Sequence, residues 1–264
     1  MENQKNNNID RKTFINIILC VLVVILVGYI IIDISADKLK NKMEEPSIDI
    51  KPVENAIRIS DDKLEQYVSY INPLSIGPSE LIYNVDKVIA KELSIEDKIK
   101  YSGSYIYSKH TTSEDGQFDI ISKEELKKAL NTVYGPGNIY VDKFNLGCGD
   151  FVLRDDGNYY SETGCGGTST TYVKSLITDY KATDKTIDIT VVYAIYDGET
   201  NKLYKNYDKT SELKDFKGNQ TNYQEKVDEY VKNNKDVLNQ IIYTFEDIKG
   251  GYYFKQLTKK IIYY

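Results

Sequence analysis

The sequence predicts an α+β fold: an N-terminal transmembrane helix followed by a domain of several helices packed on one face of a mostly antiparallel sheet. Three observations support this prediction. Residues 14–32 form an uncharged apolar run, the apolar residues between 60 and 134 recur mainly at helical spacing, and those beyond 139 mostly alternate as in strands. Helices that precede a run of strands are typical of α+β domains.

The apolar run Phe14–Ile32 is flanked by Arg11–Lys12 before it and Asp33 after it. As a helix it would extend about 28 Å, close to the roughly 30 Å hydrocarbon thickness of a bilayer. We therefore predict a cytoplasmic stub over residues 1–13 and a transmembrane helix over residues 14–34.

A cleavable signal peptide is the main alternative for this segment. The apolar cores of signal peptides are shorter, about 7–15 residues, and the small-residue cleavage site is only half present, because bulky Ile34 precedes Ser35–Ala36. A lipoprotein site at Cys20 is disfavoured because Leu19 stands where a small residue is needed. Cys20 is better interpreted as a small apolar residue in lipid.

The remaining chain is mildly acidic and carries no basic block. The formal net charge is −6, which argues against nucleic acid as a partner. Pro46 and Pro52, among mixed charges, predict a linker or stalk over residues 35–58. Residues 59–264 then form the folded domain.

Helix starts are indicated by Ser60, by Ser94 with Asp97, and by the capping box from Ser122 to Glu125. A further helical stretch is expected after Pro78, and residues 110–117 are expected to be a loop. Strands are expected at 139–144, 149–154, 158–163, 171–180, 186–196 and 202–207. A later helix is expected at 222–238, followed by a closing hairpin of two strands at 240–247 and 252–262.

The two cysteines of the domain flank a predicted hairpin. Asp156–Gly157 is a favoured two-residue type I′ turn. With that turn, facing residues have numbers that sum to 313, and Cys148 faces Cys165 at the short end of the usual disulfide range, about 4.4–6.8 Å between Cα atoms. We therefore predict a Cys148–Cys165 disulfide, which requires an oxidising compartment and places the domain outside the cytoplasm.

His110 is the only histidine. A membrane-anchored chain in which His110 precedes Cys165 invites comparison with sortases, in which a cysteine and a histidine act together in transpeptidation. The residues before Cys165 differ from the sortase pattern, no arginine follows Arg154, and a nucleophilic Cys165 is incompatible with the disulfide. No ligand spacing for a metal is present, so we expect no catalytic, metal or cofactor site.

The layout resembles that of small anchored surface proteins of Gram-positive-type bacteria: a short polar N-terminus, one apolar helix, a stalk and a Tyr-rich domain. The order of elements is similar to that of cystatin-like and NTF2-like folds. This resemblance covers the layout alone and implies no activity. Because no catalytic or metal pattern is present, we predict a single-pass membrane protein whose extracytoplasmic domain is a non-catalytic binding or scaffold module for an envelope protein, a glycan or a small ligand. The alternative is an envelope cysteine enzyme, a transpeptidase or hydrolase, that uses Cys165 and His110.

Overall fold

The computed structural model describes residues 57–74, 80–138, 140–147, 149–162, 170–217 and 222–262. The predicted stub, the predicted transmembrane helix and nearly all of the linker lie outside these ranges, as do Cys148 and Cys165. Within the described ranges, no helix combines the length and the apolar character needed to cross a membrane.

The described chain contains six α-helices and twelve β-strands, and two short 3₁₀ turns accompany them at Ala90–Glu92 and Lys235–Val237. The helices are α1 Asp61–Ser69, α2 Glu80–Tyr83, α3 Ile95–Tyr101, α4 Gly103–Tyr107, α5 Lys123–Tyr134 and α6 Tyr223–Asn233. The strands are β1 Lys87–Ile89, β2 Thr111–Thr112, β3 Phe118–Ser122, β4 Lys143–Asn145, β5 Asp150–Leu153, β6 Asn158–Glu162, β7 Thr171–Ala182, β8 Thr186–Asp197, β9 Lys202–Tyr204, β10 Glu212–Asp215, β11 Asn239–Ile248 and β12 Gly251–Lys260.

The strands form two antiparallel sheets, so the predicted single sheet is wrong. The larger sheet has seven strands in the order β1-β12-β11-β8-β9-β10, with β7 also paired to β8, and the smaller has five in the order β2-β3-β6-β5-β4. The separation follows from β3, which the sequence analysis did not predict. Strand β3 pairs with β6, and together with β2, β4 and β5 they form the separate five-stranded sheet. The predicted similarity to the single-sheet cystatin-like and NTF2-like folds is therefore wrong.

The seven-stranded sheet is covered on both faces, and not on one face as predicted. Ile189 and Tyr193 of β8 belong to a core cluster with Leu64 of α1. Val192 and Tyr196 alternate with them and belong to another cluster, formed with Val227 and Val231 of α6. Strand β8 is therefore apolar on both faces in its second half, as expected for a strand buried between two helical layers.

Helix α5 connects the cores of the two sheets. Leu126 and Leu130 pack in the cluster of the five-stranded sheet, while Val133 belongs to the cluster of the larger sheet. Tyr134 packs against both: its hydroxyl donates to the Lys98 carbonyl over 3.0 Å, and its ring meets Phe254 of β12 edge to face.

Two of the predicted helix starts are confirmed down to their hydrogen bonds. Ser94 Oγ accepts from the Asp97 N–H over 3.0 Å, and Ser122 Oγ accepts from the Glu125 N–H over 3.1 Å. Ser60 precedes α1 but forms no side-chain cap bond.

The predicted register of the cysteine hairpin is wrong by one residue. Leu153 faces Tyr159, and Val152 faces Tyr160, so facing numbers sum to 312 and not to 313. The turn has three residues between Arg154 and Asn158, and Gly157 takes a left-handed φ of 81°, as in hairpins that end in a glycine bulge. The facing of Cys148 and Cys165 therefore loses its basis; the disulfide itself stays a prediction, because both cysteines lie outside the described residues.

We predict that Tyr134→Phe lowers the free energy of unfolding by about 1–3 kcal/mol, because it leaves the Lys98 carbonyl and the Ser102 hydroxyl without their bonds to Tyr134. The matched control is Tyr140→Phe at a 41% exposed tyrosine, where a change within about 0.5 kcal/mol is expected. Urea unfolding of both variants measures the difference. Equal effects would contradict a special role for Tyr134 in joining the two cores.

Candidate functional site

A groove lies between helix α1 and strand β7 and has a volume of about 880 Å³. Its lining includes apolar side chains from α1, the segment after it and the larger sheet: Leu64, Val68, Ile71, Val173, Ile177, Val191 and Tyr243. Polar residues of α1, Asp61, Glu65 and Ser69, also line it, and Ser175 lines it from β7. Thr171, Lys174, Asn72 and Ser104 add further polar groups. A concave site that combines apolar side chains with polar groups can hold and orient a ligand.

Strand β7 is an edge strand over its whole length in the part of the chain that the structure describes. Strand β8 pairs with β7 on one side and with β11 and β9 on the other, and no described strand pairs with the far side of β7. One long side of the groove is therefore a strand that pairs with no other described strand on its outer side.

The register identifies which backbone groups point outward. The Gly198 N–H donates to the Thr170 carbonyl over 2.8 Å, which makes 170/198 a hydrogen-bonded pair. Because hydrogen-bonded and non-hydrogen-bonded pairs alternate, Lys174 bonds to Ala194 of β8. Val173 and Ser175 fall in the other class of pair, with Ile195 and Tyr193, so their N–H and C=O groups face the open edge.

The hydrogen bonds on the opposite side of β8 agree with this assignment of odd- and even-numbered residues. The Asp247 N–H donates to the Lys185 carbonyl over 2.8 Å, so 185/247 is a hydrogen-bonded pair in the register with β11. Odd-numbered residues of β8 therefore bond to β11 and even-numbered ones to β7. The Gly198–Thr170 and Asp247–Lys185 bonds support the same assignment of the β7 edge.

The charges beside the groove are acidic on the helix side. Asp61 and Glu65 are exposed on α1 and line the groove. Lys174 also lines the groove. Its ammonium group, however, pairs over 2.9 Å with Asp228 of α6, in the helical layer on the other face of the sheet, and so does not balance the two carboxylates. The groove therefore favours a cationic group beside α1.

The end of β8 carries a buried carboxylate, Asp197, which faces Thr171 of β7 in the sheet. Lys209 Nζ lies 3.0 Å from Asp197 Oδ2, and Asp197 is 4% exposed. Thr200 Oγ1 and the Glu199 N–H also donate to Asp197. Burial alone would raise the pKa of Asp197, but the lysine and these donors outweigh it and lower that pKa below its ordinary value of 3.8.

His110, the predicted alternative catalytic residue, lies away from the groove, at the five-stranded sheet. Its Nδ1 is 2.7 Å from the Tyr107 carbonyl oxygen, its ring stacks on the Tyr107 ring, and its Nε2 is 3.8 Å from Asp119 Oδ1. The Tyr107 hydroxyl donates to Asp119 over 2.7 Å. Burial and this bond raise the pKa of Tyr107 to about 12. Both ring nitrogens of His110 thus face acceptor oxygens, which suits a structural tie between α4 and β3.

A second, more open cavity of about 660 Å³ lies between α5 and the β11–β12 turn. Lysines and tyrosines line it, including Tyr252 and Tyr253. The Tyr252 hydroxyl donates to the Thr183 carbonyl, and the Tyr253 ring lies against Gly135. Both rings therefore have packing roles. Within the described ranges, no three His, Cys, Asp or Glu side chains are grouped as a metal ion would require.

We predict that Asp197→Asn lowers the free energy of unfolding by about 1–3 kcal/mol at pH 7, because the buried bonds to Lys209 and its neighbours lose their charge. Because the pKa of Asp197 is lower in the folded than in the unfolded protein, its carboxylate stabilises the fold at pH values above the unfolded-state pKa. This stabilisation is lost as the pH falls through the folded-state pKa. The difference in the free energy of unfolding between wild type and variant should therefore decrease as the pH falls below 3.8. Urea unfolding at pH 7 and pH 3 checks this; a gap that does not change with pH would contradict the ion pair.

Comparison with known proteins identifies no relative, so a function for this chain can be argued only from the geometry of its groove. No family model matches this chain. No curated protein and no solved structure matches it either.

Proposed function

We propose that this chain is a membrane-anchored, extracytoplasmic binding domain and that the groove between α1 and β7 is its binding site. The observation that carries the proposal is the groove itself: about 880 Å³ beside an edge strand, within the range of about 300–1,000 Å³ that is usual for ligand sites. Its floor is apolar, which favours burial of ligand side chains.

Binding is favoured over catalysis by what lies in the groove. Its described lining contains no histidine and no cysteine, and its exposed carboxylates, Asp61 and Glu65, lie on one helix with no base paired to a nucleophile. The alternative of a cysteine enzyme needs His110 as a base near Cys165. His110 gives it no support, because both ring nitrogens already face acceptor oxygens.

Placement at the membrane is supported by the sequence of the N-terminal segment. Phe14–Ile32 is uncharged and long enough to span a bilayer, and Arg11–Lys12 next to it favour a cytoplasmic N-terminus. A Cys148–Cys165 disulfide, which stays a prediction, would require an oxidising location for the domain. The partner would then be an envelope protein, a glycan or a small ligand, met at the outer surface of the membrane.

Site-specific photo-crosslinking in intact native cells tests both parts of this proposal. The photoreactive amino acid p-benzoylphenylalanine replaces Glu65 or Ser175, which are exposed on the two sides of the groove. The matched control carries it in place of Val152, an exposed strand residue of the other sheet. We expect a crosslinked adduct from both groove positions and none from the control, and we expect protease added to intact cells to remove the adduct.

Two results would contradict the proposal separately. The absence of an adduct at both groove positions would show that the groove is not a binding site. An adduct that resists protease until the cells are opened would show that the domain is not extracytoplasmic.

A further inference from the structure

We propose that the occupant of the groove is an extended polypeptide strand that adds to the open edge of β7 and places a basic side chain beside α1. This inference rests on the proposed function of the groove and names the class of its partner. It follows from three observations: the backbone edge, the uneven protection of that edge, and the charge of the rim.

The open edge offers hydrogen bonds that only another backbone can match along its length. Val173 and Ser175 direct their N–H and C=O groups away from β8, as the parity of the ladder requires. An added strand satisfies such groups in register, which is the basis of peptide recognition by strand addition. Helix α1 runs along the same groove, so the side chains on one face of the added strand would enter the apolar floor.

The two halves of β7 differ in how they are protected against pairing. In the second half, the register shifts between Ile177 and Asp179, and Asp179 and Lys181 are exposed. A bulge and edge charges are the usual devices that prevent edge-to-edge association. The first half has neither beside the groove, because its one charge, Lys174, pairs with Asp228 on the other face. The edge is therefore left available where the groove lies.

The side chains that flank this half define the sequence that the partner needs. Val173 and Ile177 pack towards the core on the α1 side, so β-branched or other apolar residues at alternate positions of the added strand would extend that surface. Asp61 and Glu65 line the opposite wall and favour Lys or Arg in the partner. Because side chains alternate between the two faces of a strand, the residues that face α1 must include both kinds. We therefore expect every second residue of the partner to be apolar with one Lys or Arg among them, and the residues between to be Thr or Ser.

The test measures peptide binding to the full chain, purified in detergent micelles. The probe is a pool of ten-residue peptides with Thr at every second position, and with Val or Ile and one Lys at the positions between, so that the Lys and the apolar side chains share one face. Two matched pools have the same sequences with a methyl group on every backbone nitrogen, or with Glu in place of Lys. We expect the first pool to bind, the methylated pool to bind at least tenfold more weakly, and the Glu pool at least fivefold more weakly.

Two variants locate the binding. Ser175→Pro removes one outward N–H and keeps the ladder to β8, since proline is tolerated on edge strands; we expect three- to tenfold weaker binding. Ser175→Ala and Ser175→Thr keep the N–H and should bind within twofold of wild type. Glu65→Lys changes an exposed helix residue, so it stays informative if Ser175→Pro fails to fold. It should weaken binding of the Lys pool and strengthen that of the Glu pool.

Several results would overturn the inference. They are equal binding of the methylated and unmethylated pools, equal effects of Ser175→Pro and Ser175→Ala in folded protein, or no binding by any peptide of the first pool. A dimer of the full chain that Ser175→Pro dissociates would assign the edge to a second copy instead. Any of these, with crosslinked adducts still formed at Glu65 and Ser175 in cells, would leave the proposed binding function standing and remove only the strand partner.

Discussion

The larger part of the fold depends on the position of β8 at the junction of its sheet. Its odd-numbered residues bond to β11 and its even-numbered residues bond to β7, so both of its edges are used. Its second half, Val191–Asp197, is buried on both faces, because α1 and α6 belong to the core clusters on opposite sides. A strand enclosed in this way leaves its outer neighbour, β7, as an edge with helices on both faces.

This enclosure explains why the groove has its particular form. Strand β7 is paired with β8 along one side over its whole length. Helix α1 is fixed by Leu64 and Tyr67, which pack into the core of the sheet. The wall and the edge are thus each held by the core, and the space between them remains open to a ligand. A site between rigid elements needs little ordering of the protein on binding, which favours affinity.

Sequence alone was sufficient where local chemistry decides the structure. The alternation from Ile187 to Ile195 predicted β8, and the capping box from Ser122 to Glu125 predicted the start of α5, because these signals depend on neighbours within a few residues. Strand β3 was missed because its five residues, Phe118–Ser122, lie between a polar segment and a helix start. Its neighbour β2 pairs with it over only two residues, and its main partner, β6, is distant in the sequence. The hairpin register was missed because Asp-Gly fits both a two-residue turn and a three-residue turn that ends in glycine.

The candidate site was beyond the sequence analysis for a related reason. Nothing in the composition of β7 says which of its sides is paired, since that depends on where β11 and β9 lie. Likewise, the sequence indicates only that Asp61 lies at a helix start and Glu65 on an exposed helix face. Their position opposite Ser175, which the structure shows, makes them part of a groove. His110 shows the opposite case: its singularity in the sequence suggested chemistry, and its contacts with Tyr107 and Asp119 explain it structurally.

Amide hydrogen exchange along β7 in the full chain, read residue by residue by NMR, tests the open edge most directly. The structure predicts an alternation: slow exchange at Tyr172, Lys174 and Leu176, whose N–H groups bond to β8, and fast exchange at Val173 and Ser175, whose N–H groups face the groove. Uniformly slow exchange over all five residues in the ligand-free protein would show that another segment already occupies this edge, and would contradict the account.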